Sequence, residues 1–224
     1  MATWQSARDV RAPADGRPGH GVAGALPAGR RGRQHRPGDH LLHARAGAHP
    51  DRDPERPARL IRLGLAHRER FGALGALDDL DQATGFLERA VSSATDDDQQ
   101  TVALSNLGFA CRERYRRRGR PADLDRAVGH LEQALAITRA EGPDRAGILS
   151  NLGGAHLYRY ESQASADDLD RSVRLQEQAV AMTPEDDPRR AVRVSNLGLA
   201  HLSRFRHTGA TDDLDRAIDV IGQG

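Results

Sequence analysis

Ser105-Asn106-Leu107-Gly108, followed by Leu124-Asp125-Arg126-Ala127, is one copy of a phrase that recurs every 44 or 45 residues. The other copies start at Leu63-Gly64, Leu152-Gly153 and Leu197-Gly198. Leu80-Asp81, Leu169-Asp170 and Leu214-Asp215 repeat the second half, always 17 residues from Gly to Asp. An aromatic stands seven residues after each Gly: Phe71, Tyr115, Tyr160 and Phe205. A fixed period of this length marks a solenoid, in which each unit buries its apolar face by stacking on its neighbour.

Within a copy the hydrophobic period is helical. Leu104, Leu107, Gly108, Cys111 and Tyr115 fall on one face of a first helix. Arg117-Arg118-Gly119-Arg120-Pro121 breaks it, and Pro121 suits the first turn of a second helix, where its missing N–H costs nothing. Leu124, Ala127, Val128, Leu131, Ala134 and Leu135 then share an inner face. Ser165 and Thr211, each followed by two carboxylates, read as hydroxyl caps of the later second helices. Gly142-Pro143 and Pro184 to Pro188 separate units. The fourth second helix is expected from about Asp212 to Ile221, too short to stand without packing on its partner. The fourth copy therefore reads as truncated, a sign of a fragment of a longer protein.

Composition excludes some chemistry. The chain has 224 residues, 33 basic and 32 acidic, and every basic residue is arginine. Without lysine there is neither a phosphate-loop lysine nor a Schiff base. Residues 61–224 hold 22 arginines against 26 acidic residues, an acidic balance that argues against nucleic-acid backbone binding. No apolar run reaches the length of a membrane span. The one cysteine, Cys111, permits no intrachain disulfide, so the cytoplasm is the expected compartment.

Residues 1–54 differ from the rest. Clusters such as Arg30-Arg31-Gly32-Arg33 and Arg36-Pro37-Gly38, with half of the ten histidines, carry no sustained period. Such a segment buries too little apolar surface to offset its chain entropy and reads as a disordered tail. A mistaken or out-of-frame start and a basic arm for nucleic acid or membrane are the other readings.

The small-large-small trio Ala127, Leu131, Ala134, with Ala83, Leu87, Ala90 and Ser172, Gln176, Ala179 in neighbouring copies, resembles the second-helix signature of tetratricopeptide repeats (TPR). The Leu-Gly pairs match the first-helix signature. The unit exceeds the 34-residue TPR pattern by about ten residues. This longer unit is similar to arrays of actinobacterial and fungal proteins, many of which precede a caspase-like CHAT domain. The resemblance implies an all-α, TPR-like α-solenoid of about three and a half helix-turn-helix repeats over 55–98, 99–143, 144–187 and a truncated 188–224. It implies a protein–protein interaction scaffold, not an enzyme, holding a peptide or partner helix in its concave groove. The alternative is the regulatory region of a larger effector such as a CHAT-type protease.

Asn106, Asn151 and Asn196, preceded by Ser105, Ser150 and Ser195, are the candidate partner-binding residues, because this part of a TPR first helix lines the groove. Amides there clamp an extended backbone or hydrogen-bond between adjacent repeats, and the sequence leaves both open. No cation is evident beside them for a terminal carboxylate. Arg70, Arg114, Arg159 and Arg204, with Asp81, Asp125, Asp170 and Asp215 eleven residues on, read as structural pairs. His67, Cys111, His156 and His201 form a ladder, but helices packed about 8–10 Å apart cannot converge them on one zinc ion. No cofactor, metal, nucleic acid or membrane is expected, while uncapped solenoid ends invite self-association.

Overall fold

The structure, a computed structural model, describes Asp53 and residues 55–222. The tail expected over residues 1–54 lies outside the described residues except for Asp53. The described residues form eight helices and no strand: α1 Arg56–Leu74, α2 Leu77–Ser93, α3 Asp97–Arg118, α4 Pro121–Ile137, α5 Pro143–Gln163, α6 Ala166–Ala181, α7 Arg190–Thr208 and α8 Thr211–Gly222. They pair as four hairpins, α1/α2 to α7/α8, stacked in chain order. Among them, first helices touch across units and second helices do not. The array therefore curves with α1, α3, α5 and α7 on its inner side.

Every hairpin turn has two residues. Gly75, Gly119 and Gly209 close three of them at φ +68°, +66° and +74°, each donating its N–H to the carbonyl of the aromatic four residues back. The third turn places Ala164 in the same left-handed conformation at φ +57°. A Cβ there costs about 1–2 kcal/mol. The capping expected of Ser165 and Thr211 is not what forms. The Ser165 hydroxyl makes no cap bond, and Thr211 is already inside α8. Backbone bonds close these turns instead, Asp168 N–H to Ser165 O and Asp213 N–H to Ala210 O. A side-chain cap does form on α3, where Asp96 accepts from the Gln99 N–H at 2.7 Å.

The glycines at the centre of each first helix mark where its partner helix crosses. The large middle residue of each trio, not the small residues beside it, faces them. A Cβ on Gly108 would stand 2.5 Å from Leu131 Cγ and 3.1 Å from the Ala127 carbonyl oxygen. Leu87 covers Gly64, Gln176 covers Gly153 and Ile221 covers Gly198. The alanines flank that contact and, being small, let the backbones approach. The core runs from unit to unit through Leu87, Leu104, Leu107, Leu131, Ile148 and Leu152. Arg145 and Arg190 donate to the last carbonyls of α4 and α6, satisfying helix ends that have no partner of their own. The fourth hairpin is the short one. Ile218 is 61% exposed, whereas its counterparts Val128 and Val173 are buried under the following unit.

Candidate functional site

Each hairpin is tied by an arginine and a buried aspartate. Arg70, Arg114, Arg159 and Arg204 bond Asp79, Asp123, Asp168 and Asp213. These aspartates lie nine residues beyond the arginine, not eleven. The aspartates eleven residues on serve the next unit: Asp81, Asp125 and Asp170 stand 3.7 Å from Arg114, Arg159 and Arg204. One guanidinium thus bridges its own hairpin and the preceding one. Each histidine of the ladder is bonded inside its own unit. His67, His156 and His201 place Nδ1 at 2.9, 2.7 and 2.8 Å from the same buried carboxylates. Burial opposes the Asp168 charge, but hydrogen bonds from Arg159 and His156 outweigh it and hold its pKa at about 2. Burial also pushes His156 below its ordinary value, against the pull of Asp168. In the second unit Cys111 takes the histidine's place, and Asp123 Oδ2 is buried without a hydrogen-bond partner. Burial raises the Cys111 thiol to about 11, which leaves it unreactive at neutral pH.

The basic run Arg116-Arg117-Arg118 is consumed within the array. Arg116 bonds Glu113, Arg117 lies over the Phe71 ring and Arg118 forks onto Asp81.

The inner face carries a groove of about 470 Å³. Its floor is α5, where Gly147, Asn151 and Gly154 fall at i, i+4 and i+7. Counterparts of the two glycines are large on either side: Val102 and Phe109 on α3, Val192 and Leu199 on α7. Val192 is 63% and Leu199 46% exposed, so an apolar wall on α7 faces water beside a floor whose glycines seat the Arg112 and Arg193 guanidinium groups. A second hollow of about 220 Å³ lies between α3 and α5 and shares Asn151. The glycine floor was missed in sequence. Its signal was legible, since Gly147 and Gly154 break a position that is otherwise bulky in both neighbouring units.

The six candidate residues divide. Asn151 lines both hollows, and its side chain makes no hydrogen bond to another described residue. Asn106 donates to Val102 O and accepts from Arg68 of the preceding unit at 2.7 Å. Asn196 lines the larger groove and donates to Ser150 Oγ. Ser150 is buried, and its hydroxyl also bonds the buried Gln176. Ser105 lines the smaller hollow, while Ser195 is exposed and lines neither. The amides at 106 and 196 therefore do join adjacent repeats, and Asn151 does not.

The cations that were not evident in sequence are supplied by neighbouring helices. Arg112 of α3 and Arg189 and Arg193 at α7 line the larger groove. Arg193 is buried, donates to Thr183 Oγ1 at 2.5 Å and lies 3.8 Å from Asp187. Arg189 takes the same Asp187 at 2.8 Å.

No helix among the described residues is long and apolar enough to cross a membrane. No protein-family model matches the sequence, and no curated protein matches it. Solved structures do match. A putative kinesin light chain of Podosopora anserina with nearly identical TPR-like repeats is 20% identical, with a TM-score of 0.52 over 81% of this chain and 82% of that one. A single-substitution variant of that protein gives a TM-score of 0.53 at the same identity and coverage. A de novo designed helical repeat protein is 18% identical, with a TM-score of 0.46 over 75% of this chain and 92% of that one. The likeness is one of fold: the chain is an all-α, TPR-like solenoid.

Proposed function

We propose that the array is a protein-interaction scaffold that holds an extended peptide in the groove above α5. The observation that carries this reading is the strip Gly147-Asn151-Gly154 of α5, with Phe109 of α3 on one side and the exposed Val192 and Leu199 of α7 on the other. Asn151, hydrogen-bonded to no other described residue, offers a peptide backbone both a donor and an acceptor. Apolar walls beside it supply the burial from which binding free energy comes. The repeat architecture supports the same reading, because stacked units present extended concave surfaces.

A photo-crosslinking residue at position 199, and a second at exposed Arg174 of α6 as control, test this. Partner peptides are expected on position 199, reproducibly mapped by mass spectrometry and competed away by the synthetic peptide. Equal labelling at the two positions would defeat the groove as the binding face.

A further inference from the structure

The joint between the third and fourth hairpins is built unlike the one before it. Where α4 meets α5, the buried Val128 and Leu131 join Ile148, Leu152 and Ala155 in one apolar core. Two of these positions are polar where α6 meets α7: Gln176 stands where Leu131 does, and Arg193 where Ile148 does. Val194 and Leu197 of α7 are buried, yet neither belongs to that core, which ends at Leu175 of α6.

The polar pair does not knit the two hairpins together as the leucine and isoleucine do. Gln176 turns back into its own hairpin, donating to the Ser150 carbonyl at 3.0 Å and accepting from the Ser150 hydroxyl at 3.1 Å. Arg193 takes its partners from the connecting segment, Thr183 Oγ1 at 2.5 Å and Asp187 at 3.8 Å. That segment spans 182–189, whereas the earlier units are joined by the shorter 94–96 and 138–142.

The short bonds of this joint gather at one corner. Arg190 Nη1 donates to the Thr183 and Val180 carbonyls at 2.5 and 3.3 Å, and Thr183 Oγ1 donates to the Ala179 carbonyl at 2.5 Å. Away from the corner the ties are longer: Asn196 to Ser150 Oγ at 3.2 Å, Arg204 to Asp170 at 3.7 Å and His201 Nε2 to Glu177 at 3.8 Å. The α4–α5 joint has the same corner, with Arg145 on the Leu135 and Thr138 carbonyls, but its apolar core closes the rest. A joint fixed at one corner and weakly held elsewhere has the build of a hinge.

We infer that the fourth hairpin, α7 with α8, swings as one body about the corner formed by 182–189. Its internal bonds, Arg204 and His201 onto Asp213, move with it. α7 carries Val192 and Leu199, so the swing widens and narrows the groove over α5. A peptide that touches both helices binds the closed arrangement better and holds it closed. Only this last role rests on the groove being the peptide site. The test of the hinge uses no ligand, so its failure leaves that reading untouched.

Val128 and Val173 occupy equivalent positions, each buried under the following unit. Val128→Cys and Val173→Cys, made singly in the full chain, are exposed to a thiol reagent under native conditions. Peptide mass mapping counts Cys111 apart. Position 173 is expected to label at least about tenfold faster than position 128, the equivalent of burying one fewer aliphatic side chain across the joint. Low urea should leave the rate at 173 nearly unchanged, because a swing exposes far less surface than unfolding. Gln176→Leu with Arg193→Ile, which copies the α4–α5 joint, should slow position 173 to nearly the rate of 128.

Equal rates at 128 and 173 would overturn the hinge. So would a fast rate at 173 that climbs steeply with urea while α7 amides lose protection from exchange, since the hairpin would then unfold rather than swing. Both readings leave Gln176 and Arg193 in place, so they stand even where the double variant fails to fold. A fast rate that persists in a double variant melting no lower than the parent would overturn the assignment of the hinge to these two residues.

Discussion

The α3/α4 and α5/α6 hairpins are built on one phrase and solve its packing in opposite ways. The first is dry and bulky. Leu131 fills the space over Gly108, and Val102 and Phe109 stand on its inner face. The second is polar, with glycines on its inner face. Gln176 covers Gly153 while bonding Ser150, and glycines replace the inner bulky residues. The second also bears the strained turn at Ala164. The first carries its own defect, a buried Asp123 oxygen beside Cys111. Two adjacent units thus share one backbone plan, yet only the polar one supplies a groove floor.

The largest expected difference lies at the central glycines. Gly108→Leu should cost about 3 kcal/mol, because Leu131 and the Ala127 carbonyl both stand in the way and a carbonyl of α4 cannot swing aside. Gly153→Leu should lower the melting temperature clearly but by less, since the crowding atoms belong to the Gln176 side chain and no backbone carbonyl stands in the way. Equal losses in urea melts would erase the contrast between the two hairpins.

Acid should separate them next. The folded pKa of Asp168 lies below its ordinary value of 3.8, so its contribution is complete above that pH and is lost as pH falls toward 2. That contribution is about 2 kcal/mol. His156 is also depressed, from 6.5, so the unfolded chain takes up a proton before the folded one does. Stability therefore starts to fall below pH 6.5 and falls again below pH 3.8. His156→Cys, which copies the second unit, should remove that residue's share of the first decline. A stability–pH profile identical to that of the parent between about pH 7 and 5 would break this account.

Cys111→His sharpens the comparison in the other direction. An imidazole there gives Asp123 the donor that Asp79, Asp168 and Asp213 already have, for a gain of about 1 kcal/mol. A lower denaturation midpoint would mean that the Cys111 site cannot admit the ring. The smallest effect is expected at the turn. Ala164→Gly should stabilise by about 0.5–1 kcal/mol, because relief of the left-handed Cβ exceeds the added entropy of the unfolded chain. No gain would show that the turn relaxes without glycine.

The helices, their order and the inward faces of Leu104, Leu107, Leu124 and Leu131 were legible because a solenoid's contacts are local and repeat with its phrase. The Arg–Asp ties were legible as a class but not in register. Two aspartates follow each arginine, and only the crossing of the helices selects the nearer one for the hairpin and the farther one for the neighbour. Of the six groove candidates, the sequence treats Asn106, Asn151 and Asn196 alike. Their difference comes from Arg68 and Ser150, 38 and 46 residues from the amides they bond.

By itself the sequence determined the period, the pairing of helices and the buried stripe, since each follows from spacing within one unit. Tertiary structure alone decided which polar groups are used up and which stay open. Arg68 closes onto Asn106, whereas Arg112 and Asn151 do not close onto each other. Hydrogen bonds are satisfied by distance and direction in space, and equivalent residues in successive units meet different neighbours there.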